Sequence, residues 1–64
     1  MTAPITIQEY AVFYTDKDGD THLHRTGMGP VGRDIAVSAV HRGIPYWGTG
    51  HIVLVRDLTE WRTP

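Results

Sequence analysis

Val12-Phe13-Tyr14-Thr15-Asp16-Lys17-Asp18-Gly19-Asp20-Thr21-His22-Leu23-His24 reads as two β-strands joined by a tight turn. Aromatic and β-branched residues dominate before the turn, as in strands with a pleated surface to pack. Asp16 at the first turn position and Gly19 at the fourth suit a type I turn whose glycine is left-handed and forms a G1 bulge. That geometry sets Asp16 opposite Asp20. The register follows: Phe13 faces Leu23, Tyr14 faces His22 and Val12 faces His24.

Outward from the turn, the first strand is expected from Ile5 to Asp16 and the second from Asp20 to Thr26. Side chains alternate along a strand, so Ile5, Ile7, Ala11 and Phe13 share one face, and Gln8, Tyr10, Val12 and Tyr14 the other. The stretch Gly27-Met28-Gly29-Pro30-Val31-Gly32 is too glycine-rich for a regular element. A helix is expected over Arg33 to Arg42, where Ile35 stacks on Ala39 and Ala36 on Val40 at i,i+4 spacing. Asp34 then falls in its first turn and His41-Arg42 in its last, each matching the helix dipole. Gly43 is placed to cap it in the left-handed conformation, with Ile44-Pro45 behind. A third strand is expected from His51 to Asp57, its centre Ile52-Val53-Leu54-Val55 continuously apolar. The tail Leu58 to Pro64 reads either as irregular or as a strand extension reaching Trp61.

The order is therefore ββαβ, an α+β fold with a three-stranded, mostly antiparallel sheet and one helix packed on one face. The face carrying Phe13 and Leu23 is expected to meet the helix. That would leave Tyr10, Val12, Tyr14, His22 and His24 on an open face, a surface without its second layer.

At 64 residues the chain is one domain, and a domain of this size buries only about 60% of the surface its unfolded chain exposes. It has no cysteine, so neither a disulfide nor a thiolate metal site reinforces it. Such scaffolds lean on a well-packed core or a partner chain, which favours a homodimer or docking on another protein. Six Lys+Arg stand against seven Asp+Glu, without the basic excess of a dedicated nucleic-acid or membrane-surface binder. Met1-Thr2-Ala3-Pro4 leads into the alternating segment with no basic-then-apolar leader, and the longest apolar run, Ile52 to Val55, is too short to span a bilayer. A cytoplasmic protein is expected.

Gly27, Gly29 and Gly32 spell G-x-G-x-x-G between a strand and a helix, with Asp57 ending the next strand. A dinucleotide fingerprint uses those glycines to bring backbone close to a pyrophosphate at a helix N-terminus. Here the preceding strand is half polar, a hairpin feeds it, and the chain is too short for a doubly wound sheet. The plainer reading is a connector and helix start, with Gly29, Gly32 and Arg33 as a candidate anion site. Asp16, Asp18 and Asp20 have the spacing of a calcium loop, but its sixth and twelfth positions hold Thr21 and Gly27 instead of Gly and Glu. His22 and His24 project from one strand face and could ligate a metal only with a third ligand, such as His41 or His51, brought from elsewhere. The expectation is two surface histidines, no metal and no cofactor. The single serine is Ser38, on the helix, and no acid–histidine pair stands at local spacing, so no enzyme activity is expected.

Trp, Tyr and Arg dominate binding hot spots. Tyr10, Tyr14, Tyr46, Trp47 and Trp61 are the candidate protein-binding residues, with Arg25 and Arg42 as rim contacts. The leading expectation is a small non-enzymatic protein-binding or modulator module, its partner another protein or a second copy. A nucleic-acid reading would need Arg25, Arg33, Arg42, Arg56 and Arg62 on one face, with Tyr10 and Tyr14 stacking bases. A third reading is an anion or nucleotide binder at the glycine turn.

The run Tyr14 to His22, then Thr26-Gly27 and Gly32-Arg33-Asp34-Ile35-Ala36, with Trp61 near the end, resembles small uncharacterised accessory proteins of actinobacteria or their phages. The resemblance implies an accessory gene product that binds and modulates a host protein. It carries over no catalytic residue.

Overall fold

The computed structural model describes residues 8–57 and 61–64. Strands β1 (Glu9–Thr15) and β2 (Thr21–Met28) form the hairpin, helix α1 (Gly29–Arg42) follows, and β3 (Thr49–Arg56) closes the fold. All pairings are antiparallel and the sheet order is β2-β1-β3. This is the expected ββαβ, α+β arrangement with the helix on one face.

The turn fixes the register as its residues dictate. The Asp16 amide donates to the Asp20 carbonyl at 2.8 Å, Gly19 has φ 87°, and Phe13–Leu23, Tyr14–His22 and Val12–His24 are the facing pairs. Farther along, Ala11 pairs with Arg25 and Tyr10 with Gly27, so Thr26 is an unpaired bulge residue. Its hydroxyl donates to the Gly32 carbonyl at 2.8 Å, with the Tyr10 carbonyl at 3.1 Å, and this ties the bulge to the helix.

The glycine-rich stretch is not a connector. Gly27 and Met28 end β2 and Gly29 to Gly32 form the first helical turn, so β2 runs into α1 without a loop. Pro30 sits in that turn, where its missing N–H costs no hydrogen bond. Because the helix begins at Gly29, its first turn holds no acidic residue, and the expectation for Asp34 fails. The reason for glycine here is close approach. A Cβ on Gly32 would lie 2.1 Å from the Gly27 carbonyl oxygen, so only glycine lets the helix seat on the bulge. At the far end Gly43 is left-handed, and the amides of Gly43 and Ile44 donate to the carbonyls of Val40 and Ala39 in a Schellman cap.

The helix covers the opposite face from the one expected. Val12, Tyr14 and Ala36 form the buried cluster, with Tyr10, Ala39, Val40 and Val53 packed around it. Phe13, Leu23, Ile52 and Leu54 instead share the face away from the helix, where Leu23 is 40% and Ile52 41% exposed. Handedness is the cause. The Asp16–Asp20 bond makes the even-numbered residues of β1 the ones that bond β2. β2 and β3 are parallel to each other with β1 between them, so β2-α1-β3 is a crossover, and the right-handed crossover places the helix over those even-numbered residues. The small residues Ala36 and Ala39 leave room there for the tyrosine rings.

On the face away from the helix the Glu9 carboxylate joins two strands, taking the Arg25 guanidinium at 2.7 Å and that of Arg56 at 2.9 Å. Past β3, Arg62 and Val55 exchange both backbone hydrogen bonds, at 2.7 and 2.9 Å, so the tail lies along the outer edge of β3. Residues 58–60, where the strand extension was expected, lie outside the described set. Among the described residues no helix is long and apolar enough to cross a membrane.

Candidate functional site

Three rings stand side by side on the helix-bearing face, one from each strand. Tyr14 stacks on His22 of β2 at 5.2 Å between centroids and on His51 of β3 at 5.5 Å. The Trp47 indole meets Tyr14 and His22 edge-on at 5.3 and 5.5 Å. Gly48 makes this possible, because a Cβ there would lie 2.7 Å from the Tyr14 ring. Both histidines are held by acceptors, which assigns their protons. His22 donates from Nε2 to Asp16 Oδ2 at 2.7 Å, and His51 donates from Nε2 to the Pro45 carbonyl at 2.9 Å.

Asp16 is the anchor of this arrangement. Its Oδ1 accepts the amides of Asp18 at 2.8 Å and Asp20 at 3.0 Å while Oδ2 accepts His22. The His22 hydrogen bond, reinforced by those amides and opposed by partial burial, holds its carboxyl below the ordinary aspartate range. No acid–histidine pair stands at local spacing in the sequence, yet Asp16 and His22 form one across the hairpin. The signal was present: the same turn register brings His22 back toward Asp16. No hydroxyl is hydrogen-bonded to the pair among the described residues.

Beside the ring stack the helix leaves the sheet partly open. A groove of about 610 Å³ lies between α1 and β2, floored by Val12 and Tyr14 and walled by Ile35 and Ala39 on the helix side. Ile44, Pro45 and Trp47 close one end, and His24 and Thr26 form the strand lip. The helix lip is polar, with Asp34, Ser38 and Arg42 at four-residue spacing. Trp47 is 57% exposed above this apolar floor.

The expected binding residues divide accordingly. Tyr14, Trp47 and Arg42 meet at the groove, though Tyr14 is 8% exposed and contributes floor instead of surface. Tyr10 is half-buried against the core, its hydroxyl 3.3 Å from Gln8 Oε1. Tyr46 is 82% exposed in the neighbouring loop. Arg25 belongs to the opposite face with Glu9, and Trp61 lies under the Arg56 guanidinium at 4.6 Å. Ile35, Ser38, Ala39 and His24, all groove-lining, were not among the sequence candidates as binding residues.

The other readings find less. The Gly29 amide donates to the Gln8 carbonyl, and Gly32 is packed on Gly27, so the glycines serve docking of the helix. Arg33 stands 3.7 Å from Asp34. The arginines do not gather on one face as a phosphate track: Arg33 and Arg42 stand on α1, whereas Arg25 and Arg56 converge on Glu9 on the opposite face of the sheet. Among the described residues no three His, Asp or Glu side chains are grouped to hold a metal ion, and His22 and His24 are joined by no third ligand. No family model matches this sequence, and neither a curated protein nor a solved structure matches it.

Proposed function

We propose that the protein is a small non-enzymatic binding module that captures another protein in the groove between α1 and β2. The observation that carries this reading is an apolar floor with an exposed Trp47 at its end and a polar lip of Asp34, Ser38 and Arg42. An apolar cleft with a few convergent polar groups is the usual form of a recognition site. The resemblance noted from the sequence adds a context, an accessory protein acting on a host protein in the cytoplasm.

The test is a random peptide library selected on the immobilised protein. Enriched peptides should bind wild type and lose binding to Ile35→Lys, which puts a charge on the groove wall. Val37→Lys, on an exposed helix position outside the groove, should bind as wild type. Peptides that bind all three proteins equally, or no enrichment at all, would defeat the reading.

A further inference from the structure

We propose that the groove is a strand-addition site. An extended segment of the partner pairs antiparallel along the outer edge of β2 and is selected by the spacing basic-x-apolar-x-acidic. The proposal rests on the binding reading above and names the chemistry of its partner.

Among the described residues strand β2 is an edge of the sheet. In an antiparallel hairpin alternate residues bond inward, and the Asp16–Asp20 bond makes His22 and His24 the inward ones. The N–H and C=O groups of Thr21, Leu23 and Arg25 therefore point outward, and among the described residues no backbone hydrogen bond satisfies them. Exposed edges of this kind accept an added strand, with main-chain bonds giving affinity and pockets for alternate side chains giving specificity. A guest residue opposite His24 or His22 projects to the helix side, which is the groove.

Charge complementarity sets the sequence. Helix α1 runs back along β2, starting where the Thr26 hydroxyl bonds the Gly32 carbonyl and ending beside Trp47. Asp34 thus lies toward the Thr26 end of the lip and Arg42 toward the His22 end. Eight helical residues rise about 12 Å, and four strand residues about 13 Å, so one guest segment spans both charges. An antiparallel guest enters at the Thr26 end. Its first groove-facing residue meets Asp34, the next sits opposite His24 and leans across it toward the apolar floor at Val12, and the third meets Arg42. Arg42 makes no ion pair among the described residues, while Asp34 has an exposed Arg33 at 3.7 Å. A basic, an apolar and an acidic residue at alternate positions satisfy all three places.

The experiment is fluorescence anisotropy with a labelled peptide containing Lys-Thr-Phe-Thr-Glu between short Gly-Ser flanks. It should bind, and the charge-reversed Glu-Thr-Phe-Thr-Lys should bind about tenfold more weakly, as two partly screened ion pairs allow. The double variant Asp34→Lys with Arg42→Glu changes only exposed side chains and should invert that preference. N-methylation of the two threonines removes the donors aimed at β2 and should abolish binding, while N-methylation of the phenylalanine should leave it within about twofold, since its amide points away. Equal binding of both charge orders, or indifference to threonine methylation, would overturn the proposal while library peptides still bound. Failure of the library as well would remove the binding reading itself. Light scattering that finds the protein dimeric, with the groove closed to peptide, would assign the edge to a second copy and overturn it too.

Discussion

The rings of Tyr14 and His22 lie nearly parallel, 12° between planes and 5.2 Å between centroids. The contact joins a buried side chain of the central strand to a half-exposed one of the edge strand, and Asp16 holds the outer ring in place. The hairpin turn and the ring stack are therefore one unit, and a change in the turn reaches the groove floor.

Asp16→Asn keeps the turn acceptor on one oxygen but replaces the charged partner of His22. The Tyr14 and Trp47 aromatic resonances should shift while the sheet amides remain dispersed. Unchanged aromatic shifts would mean that His22 stacks without help from Asp16.

Acid should weaken the fold through two carboxylates. Glu9 is held below the ordinary glutamate range, chiefly by its hydrogen bonds to Arg25, with burial opposing and Arg56 adding, and Asp16 is lowered by His22. A carboxyl depressed in the folded state stabilises it above the unfolded value, about 4 for both residue types, and that contribution is lost as pH falls through the folded value. Melting temperature should thus be flat above about pH 5 and drop below it. The Glu9→Gln, Asp16→Asn double variant should melt lower at neutral pH and show a shallower acid limb. An acid limb as steep as in wild type would place the sensitivity elsewhere. The partner group Arg25 is pushed upward by Glu9 and stays charged throughout.

Gly32→Ala inserts a methyl group 2.1 Å from the Gly27 carbonyl oxygen. The helix must move or the bulge must open, and the cost should be about 3 kcal/mol, enough to threaten a domain this small. Gly19→Ala meets no neighbour within 4 Å and carries only the strain of its φ of 87°, about 1 kcal/mol. Urea unfolding of the two variants checks the order.

Val12→Ala removes two buried methyl groups from beneath the helix and should cost about 2 kcal/mol. Leu23→Ala, at a 40% exposed side chain on the face away from the helix, should cost less despite its larger truncation. The reverse order would mean that the helix covers the Phe13 face after all.

These last comparisons mark what the sequence could and could not reveal. The hairpin was readable because Asp16 and Gly19 allow few alternatives, and the register followed by counting. The C-terminal end of α1 was readable from Gly43. Its start was not, because close backbone approach between Gly27 and Gly32 is a tertiary fact that overrides the low helix propensity of glycine. The covered face was misjudged from hydrophobicity, since Phe13 and Leu23 look more core-like than Tyr10 and Tyr14. Handedness decides it, and handedness acts only once β3 is known to lie beyond β1. The groove mixes residues from three elements and a loop, so Ile35 and Ser38 had no local signature.

The bridge between Arg62 and Val55 has a consequence for assembly. Sheets with two bare margins can recruit copies on either side and grow without limit. Here Arg62 takes up the outward backbone groups of Val55, so part of the β3 margin is already paired and the β2 margin is left as the more open of the two. A sheet with its two margins made unequal in this way favours recruitment on the β2 side.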